Sequence, residues 1–348
     1  MAGPVPAPAL VPEPLVPPLA LGIFIACAAG GAALANCAVL AALLKRSRNG
    51  IFSVILHLAV SDLILLGTTI GPELWSINAR TWTFGNSGCV AYQGLNVFTS
   101  TASSYLIGTV TLHTLVTIRL EDKIALKRSR RGRNEDEEMK TSQHSLVANS
   151  DSSTPPRTMN VNYLFSDTRV PVTLPTVFVW ILAASLSIPE FVLSSILREG
   201  KALLCTLDSS HSLNVHTMLL VFSFFLPMFI MCTMSVLIVF KLKSRKITRT
   251  TNASESLSAL KLALWFVMIY FLFSAPRSVM NAYHIYSWKE SSSMAVNNLF
   301  ENDITTLLRL AFSSAYLLAT LVRPFLCIII LPQLRKIFSI TSNNLNSC

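Results

Sequence analysis

Seven stretches of the chain consist almost entirely of apolar residues, and polar segments separate them. Each stretch is near or above the roughly 20 residues that an α-helix needs to cross about 30 Å of hydrocarbon. The pattern therefore predicts an all-α membrane protein, a bundle of seven transmembrane helices. We place the spans at 19–44, 51–75, 89–118, 172–197, 215–240, 260–286 and 303–331.

Lysine and arginine are distributed unevenly over the polar segments. Most of the 28 in the chain fall in alternate segments, and few, such as Arg80, Lys201 and Lys289, fall in the others. Because cytoplasmic loops carry an excess of positive charge, we expect the N-terminus outside and the C-terminus inside. The net charge of +10 then reflects this asymmetry and attraction to anionic membrane lipid, rather than nucleic-acid binding. The cationic segments are the loop after residue 44, residues 119–171, residues 241–261 and the tail 332–348.

Three polar segments have a recognisable composition. Residues 1–18 are rich in proline and should form a short, extended extracellular N-terminus. Residues 119–171 are dominated by charged and hydroxyl side chains, so we expect a long disordered cytoplasmic insert in the second inner loop. It is either a lipid-binding, phosphorylatable regulatory element or a solvated linker. The cytoplasmic tail, 332–348, should contain a short amphipathic helix.

Two of the seven cysteines should face the oxidising compartment. Cys89 opens the third span and Cys205 lies in the loop before the fifth, whereas the others fall in spans or in the inner tail. A bridge between Cys89 and Cys205 is the natural pairing, and two free thiols are the alternative.

Several short motifs, in order along the chain, resemble those of rhodopsin-like (class A) G-protein-coupled receptors. The resemblance covers nearly the whole chain except the insert and implies a multi-pass plasma-membrane receptor for an extracellular ligand. Heterotrimeric G proteins are the implied inner partners, and the pattern is closest to that of the peptide receptors. The matching features are Asn36, Leu58-Ala-Val-Ser-Asp62-Leu, Trp82-Thr-Phe84-Gly85, Ser103-Ser-Tyr-Leu, Trp180, Pro189, Phe224-Phe-Leu-Pro227, Ala275-Pro276 and Arg323-Pro324.

The departures from the family pattern make the receptor atypical. The family's Asp-Arg-Tyr triplet is His113-Thr114-Leu115 here, so its arginine is missing. The family's Asn-Pro-x-x-Tyr becomes Arg323-Pro324-Phe325-Leu326-Cys327. Ser274 and Ser235 replace the usual tryptophan and tyrosine of the sixth and fifth spans. These positions switch the receptor or engage the G protein in the family, so the chain is either an unusual coupled receptor or a receptor-fold scaffold, decoy or dimer partner.

Asp62 and Arg323 are ionisable residues at similar depth in two different spans. Counted from the inner face at 1.5 Å per residue, they lie roughly 16 and 12 Å deep. An ionised group there costs on the order of 2.5 to 3.5 kcal/mol, so such residues find partners. We expect a transmembrane ion pair, with the guanidinium in the place of the sodium ion that the family's aspartate helps to bind. The alternative is that Arg323 extends to the inner headgroups.

Polar residues at helical spacing form stripes on the third, sixth and seventh spans, and an acid lies near the outer end of the second. Their convergence toward the outer side predicts a ligand-binding cavity. The candidate ligand-binding residues are Glu73, Gln93, Asn96, Ser100, Arg277, Asn281, His284, Arg309 and Ser313.

The same residues constrain the ligand. Asn96 occupies the position of the aspartate that binds amines in this family, and the seventh span has no lysine for an opsin's Schiff base. Arg277 and Arg309 favour a ligand with a carboxylate or other acceptor-rich end. A neuropeptide is the first expectation and a small acidic metabolite the second. Either arginine can instead be structural, paired for example with Glu73 or Asp303.

Other classes of function find less support. The six histidines are scattered, and only His211 and His216 are close in sequence. We therefore expect no metal site, no cofactor, no catalytic group and no enzyme activity. A channel or transporter would need a continuous polar path, but the inner halves of the spans are apolar apart from the level of Asp62 and Arg323.

Overall fold

The computed structural model describes residues 13–44, 50–145, 172–199, 202–207, 212–245, 253–291 and 299–337. In these ranges the chain forms seven long helices and one hairpin. The first four helices are α1 (Pro18–Leu44), α2 (Gly50–Thr68, continued as Ile70–Ala79), α3 (Gly85–Ser145) and α4 (Thr173–Leu193). The hairpin strands are β1 (Ser194–Glu199) and β2 (Ala202–Leu207). The last three helices are α5 (Ser212–Leu220 and Leu226–Arg245), α6 (Ala253–Ile269 and Ala275–Ser291) and α7 (Leu299–Ile330).

Six helices of the described ranges, all but α3, are long and apolar enough to cross a membrane. Serine and threonine make α3 more polar. Many of their hydroxyls donate to carbonyl oxygens of the same helix, as Thr99 does to Leu95 at 2.8 Å and Thr114 to Val110 at 2.8 Å. Because α3 also packs against α2, α4, α5 and α6, its polar residues face other helices rather than lipid. The predicted seven-helix bundle is therefore present, with α3 at its centre.

Two π-helical turns interrupt α5 and α6. They span Val221–Phe225 and Tyr270–Ser274, and each lies just before a proline, Pro227 or Pro276. A proline cannot donate to the carbonyl four residues earlier, and in both helices that carbonyl falls inside the π-turn. The wider turns therefore accommodate the missing hydrogen bonds.

The hairpin covers one end of the bundle, which we call the hairpin end. Its antiparallel strands pair Ile196 with Cys205, and Cys205 is bonded to Cys89 at the start of α3. The predicted disulfide is thus confirmed. Trp82 packs beside the bridge, and its backbone N–H donates to the carbonyl of Leu203 at 2.7 Å.

The third helix is much longer than its predicted span. The predicted disorder of residues 119–171 is wrong for residues 119–145, which continue α3 as helix, and residues 146–171 lie outside the described ranges. Two effects explain the difference. Lysine, arginine and glutamate are good helix formers, and a helix already formed in the membrane needs only to propagate.

The two ends of the chain are described only in part. In the N-terminal segment, the backbone N–H of Val16 donates to the Asn78 side chain at 2.8 Å, so this stretch is tied to the end of α2. A short helix at 332–337 follows α7, where the amphipathic tail helix was predicted. Residues 1–12 and 338–348 lie outside the described ranges.

Candidate ligand-binding site

A cavity of about 130 Å³ lies between α3, α5, α6 and α7. Its walls are rich in hydroxyl, amide and guanidinium groups. Pockets for drug-sized ligands measure roughly 300–1,000 Å³, so this cavity admits only a small group or one end of a larger ligand. Four of the nine predicted ligand-binding residues line it: Asn96, Ser100, Arg277 and Asn281.

Arg277 is neutralised inside the protein. Its Nε donates to Glu73 Oε1 at 2.9 Å, and its Nη2 donates to Glu73 Oε2 and, at 2.8 Å, to Asn96 Oδ1. Ser313 donates to Glu73 Oε1 at 2.8 Å, and the guanidinium lies 4.6 Å from the centre of the Tyr316 ring. Both charged side chains are buried. Of the two interpretations of Arg277, this geometry supports the structural one. We call Glu73 and Arg277 the hairpin-side pair.

Arg309 is different. Its Nε donates to Asn281 Oδ1 at 2.9 Å, and the side chain is half-buried. No carboxylate of the described ranges lies within 4 Å of its guanidinium, although Glu73 and Arg277 are near enough to act on it electrostatically. Because the charges of Glu73 and Arg277 cancel, Arg309 leaves one positive charge among the described residues at this level of the bundle.

The remaining candidates lie around this network. Gln93 Nε2 donates to the backbone carbonyl of Cys205 at 3.1 Å and so connects α3 to the hairpin. Ser100 donates to Val97 at 3.3 Å, which leaves its oxygen as an acceptor toward the cavity. His284 is exposed on α6, one turn beyond Asn281.

The structure brings Asp62 and Arg323 together at the deep end of the same cavity. Arg323 Nη1 donates to Asp62 Oδ1 at 2.5 Å, and Ser103 donates to the same oxygen at 3.4 Å. Both residues are no more than 2% exposed, so Arg323 does not extend to the headgroups. Asp62 Oδ2 and Arg323 Nε have no hydrogen-bond partner among the described residues. We call these two residues the deep pair.

Two further charged contacts lie toward the hairpin end. Arg80 forms an ion pair with Asp303 at 2.7 Å. Glu190, which the sequence reasoning missed, is buried on α4; Ser194 donates to its Oε2 at 3.0 Å, and His216 Nδ1 lies 3.6 Å from its Oε1. An acid in an apolar span was the signal that identified Asp62, and the same rule would have found Glu190.

Comparison with known protein families gives a match to part of the chain. The model of the family described as 7 transmembrane receptor (rhodopsin family) matches residues 158–322, which include α4 to α6 and most of α7. Over these residues the chain resembles the rhodopsin family of seven-transmembrane receptors. The matched segment is just under half of the chain, and α1 to α3 with the Cys89–Cys205 bridge complete the bundle around it. A search of curated proteins finds no match.

The match indicates a broad class of function. Proteins of this family are multi-pass membrane receptors rather than enzymes, and in general they couple an extracellular ligand to a G protein. No cluster of three or more metal-ligating side chains occurs within the residues described.

Proposed function

We propose that the protein is a plasma-membrane receptor whose ligand carries a carboxylate or another acceptor-rich end. A neuropeptide is the first candidate and a small acidic metabolite the second. The hairpin end faces outside in this proposal. The excess of Lys and Arg in the opposite segments supports that orientation, and so does the disulfide, which needs an oxidising compartment.

The proposal rests on how the charges of Glu73, Arg277 and Arg309 are paired. Arg277 is paired with Glu73 and also donates to Asn96, whereas the charge of Arg309 is not neutralised by a described residue. A guanidinium presents a planar fork that binds a carboxylate through two parallel hydrogen bonds. Arg309 uses only its Nε toward Asn281, so its terminal nitrogens remain for the ligand.

The cavity below this level receives a small part of the ligand. Asn281 both accepts from Arg309 and lines the cavity, so a ligand held by Arg309 lies next to its polar wall. A peptide's terminal residue, or a small acidic metabolite, fits the available volume.

Ligand screening with a binding readout tests the proposal. Fractions of peptide and metabolite extracts are applied to the receptor, and an active ligand is then compared with its amide or methyl ester. We expect both carboxylate capping and Arg309→Gln to weaken binding at least about tenfold, since a hydrogen bond to a charged group is worth about 1.5 to 3 kcal/mol. The two losses should not add.

Arg80→Gln is the matched control. Arg80 lies at the same end of the bundle but is paired with Asp303, so its replacement should leave the effect of capping the carboxylate unchanged. The proposal fails if Arg309→Gln binds the ligand as tightly as the wild type does and still loses affinity when the carboxylate is capped. Another cation would then bind the carboxylate.

A second candidate function is that of a receptor-fold scaffold, decoy or dimer partner with no G-protein coupling. The observation in its favour is at the end of the bundle opposite the hairpin. Thr114, where the family has arginine, is buried and donates only to its own helix. An apolar cluster from α3, α5 and α6 lies beside it, formed by Leu115, Ile118, Ile238 and Leu260.

Nucleotide exchange on G proteins distinguishes the two functions. Membranes that contain the receptor are exposed to a ligand found by binding alone, and each class of G protein is assayed. Exchange in any class supports the coupled receptor. If none responds, the His113→Asp and Thr114→Arg double variant should gain exchange, provided that the missing arginine is what prevents coupling.

A further inference from the structure

The part of α3 beyond its membrane span carries a row of exposed cationic side chains. Arg119, Lys123, Lys127 and Arg130 are all exposed and follow one another at intervals of four, four and three residues. At about 100° of rotation per residue they fall within an arc of roughly 80° on one face of the helix. We call this row the cationic stripe.

The stripe is separate from the contacts that hold α3 in the bundle. On another face of the same helix, Asp122 pairs with Lys241 of α5 at 3.0 Å. None of the four stripe residues forms an ion pair or hydrogen bond with a described residue. Glu121 and Asp122 lie between Arg119 and Lys123 in the sequence, but at about 100° per residue they fall outside the arc of the stripe. The stripe itself therefore carries four positive charges that repel one another, which favours binding of a polyanion.

The length of the stripe along the helix indicates which kind of anion it can bind. At 1.5 Å per residue, Lys123, Lys127 and Arg130 lie roughly 6, 12 and 16 Å beyond Arg119. The headgroup layer on one side of a bilayer is only about 5 to 7 Å thick. Because α3 continues without a break from the membrane span, the extension cannot lie flat on the lipid. Headgroups with a single phosphate therefore reach only the first part of the stripe.

We propose that the cationic stripe binds the polyphosphorylated headgroup of an inositol phospholipid. Such a headgroup projects from the membrane surface and carries several phosphates, so it can meet charges at more than one height. Lysine supplies point charges and arginine a planar fork, and both bind phosphate. This site is independent of the ligand site at Arg309, and it lies at the end of the bundle that the charge bias places inside.

Lipid binding by the full-length receptor tests the proposal. The purified receptor in detergent is titrated with a fluorescent short-chain phosphatidylinositol bisphosphate, and binding is followed by anisotropy. Phosphatidylserine at equal total charge is the comparison lipid. A stripe variant replaces Lys123, Lys127 and Arg130 by glutamine. Since each cation near a membrane surface contributes about fivefold, we expect the inositol lipid to bind on the order of 100-fold more weakly to this variant.

A control variant that loses the same number of charges tests whether their position in the stripe matters, or only their number. Arg128, Arg131 and Arg133 belong to the same helical segment but not to the stripe, and their replacement by glutamine should cost less than about tenfold. Equal losses in the two variants would show unspecific attraction and overturn the proposal. Equal binding of phosphatidylserine and the inositol lipid, or no binding by the wild type, would overturn it as well. Thermal unfolding of both variants, expected at the wild-type temperature, shows that they fold.

Discussion

The hairpin-side pair and the deep pair are built from the same kinds of group in different surroundings. Both carboxylates come from one face of α2, about three helical turns apart. Glu73 meets Arg277 of α6, and Asp62 meets Arg323 of α7. All four side chains are buried, and both guanidiniums line the same cavity.

The difference lies in how completely the two pairs are hydrogen-bonded. Both oxygens of Glu73 accept, and Arg277 is held by the carboxylate, Asn96 and the Tyr316 ring. In the deep pair one oxygen of Asp62 and the Nε of Arg323 have no partner in the described part of the chain. A buried pair stabilises a fold only when the remaining donors and acceptors are satisfied. The hairpin-side pair is therefore a structural clamp between α2 and α6, whereas the deep pair is buried with two of its polar atoms unbonded.

The largest expected effect is the loss of one member of the hairpin-side pair. Glu73→Gln and Arg277→Gln each leave a buried charge without its counter-ion, which typically costs about 3 to 5 kcal/mol. We expect a sharp fall in folded yield and in the temperature of thermal unfolding for either change. The double variant should recover much of the loss. Wild-type stability in both single variants would show that the pair is not a clamp.

Replacing one member of the deep pair should also lower stability, but by less than in the hairpin-side pair. Asp62→Asn and Arg323→Asn should each destabilise by an amount at or below about 3 kcal/mol, because the wild-type groups already leave two polar atoms unbonded. A double-mutant cycle from thermal unfolding measures the coupling, which we expect to be smaller than that of Glu73 and Arg277. Strictly additive losses would mean that Asp62 and Arg323 do not interact.

Two serines near the cavity allow a bonded and an unbonded hydroxyl group to be compared in the same way as the two ion pairs. Ser313 donates to Glu73, whereas the buried Ser274 hydroxyl has no partner among the residues described. Ser313→Ala should therefore cost about 1.5 to 3 kcal/mol, the range for hydrogen bonds to charged groups. Ser274→Ala should change stability by less than about 0.5 kcal/mol. A reversed order of the two unfolding temperatures would contradict the hydrogen-bond assignments.

The smallest expected effect is the response to sodium. The Arg323 guanidinium already neutralises Asp62, so a sodium ion should gain little by binding there. Because an ion that binds only the folded state raises the unfolding temperature, we expect equal temperatures in sodium chloride and potassium chloride at the same ionic strength. A rise specific to sodium would show that Asp62 is available to the ion.

Much of the fold and part of the site could be predicted from the sequence. Apolar runs give the number of spans, and the two cysteines expected outside give the disulfide. The contact between Asp62 and Arg323 follows from counting depth along two spans. These inferences need only distances along the chain, which a regular helix converts directly into distances in space.

Other features depend on how each helix is rotated against its neighbours. Helical spacing places Arg277, Asn281 and Arg309 on polar stripes, but it does not reveal which of two arginines meets Glu73. The extension of α3 to Ser145 was missed because composition alone does not show that a helix can propagate from the membrane. The hairpin β1–β2 depends on its docking beside Trp82 and the bridge, a contact between distant segments.

The π-turn Tyr270–Ser274 sets the direction in which α6 points its polar residues. A π-turn holds one residue more than an α-helical turn, so every residue after it is rotated by about 100° relative to an uninterrupted helix. Arg277 lies just beyond this turn. If the same residues formed a regular α-helix instead of this wider turn, the guanidinium would point away from Glu73, toward a neighbouring helix or lipid, although the composition of the span would be unchanged. The charge balance of the cavity thus depends on the length of one turn as well as on the identity of its residues.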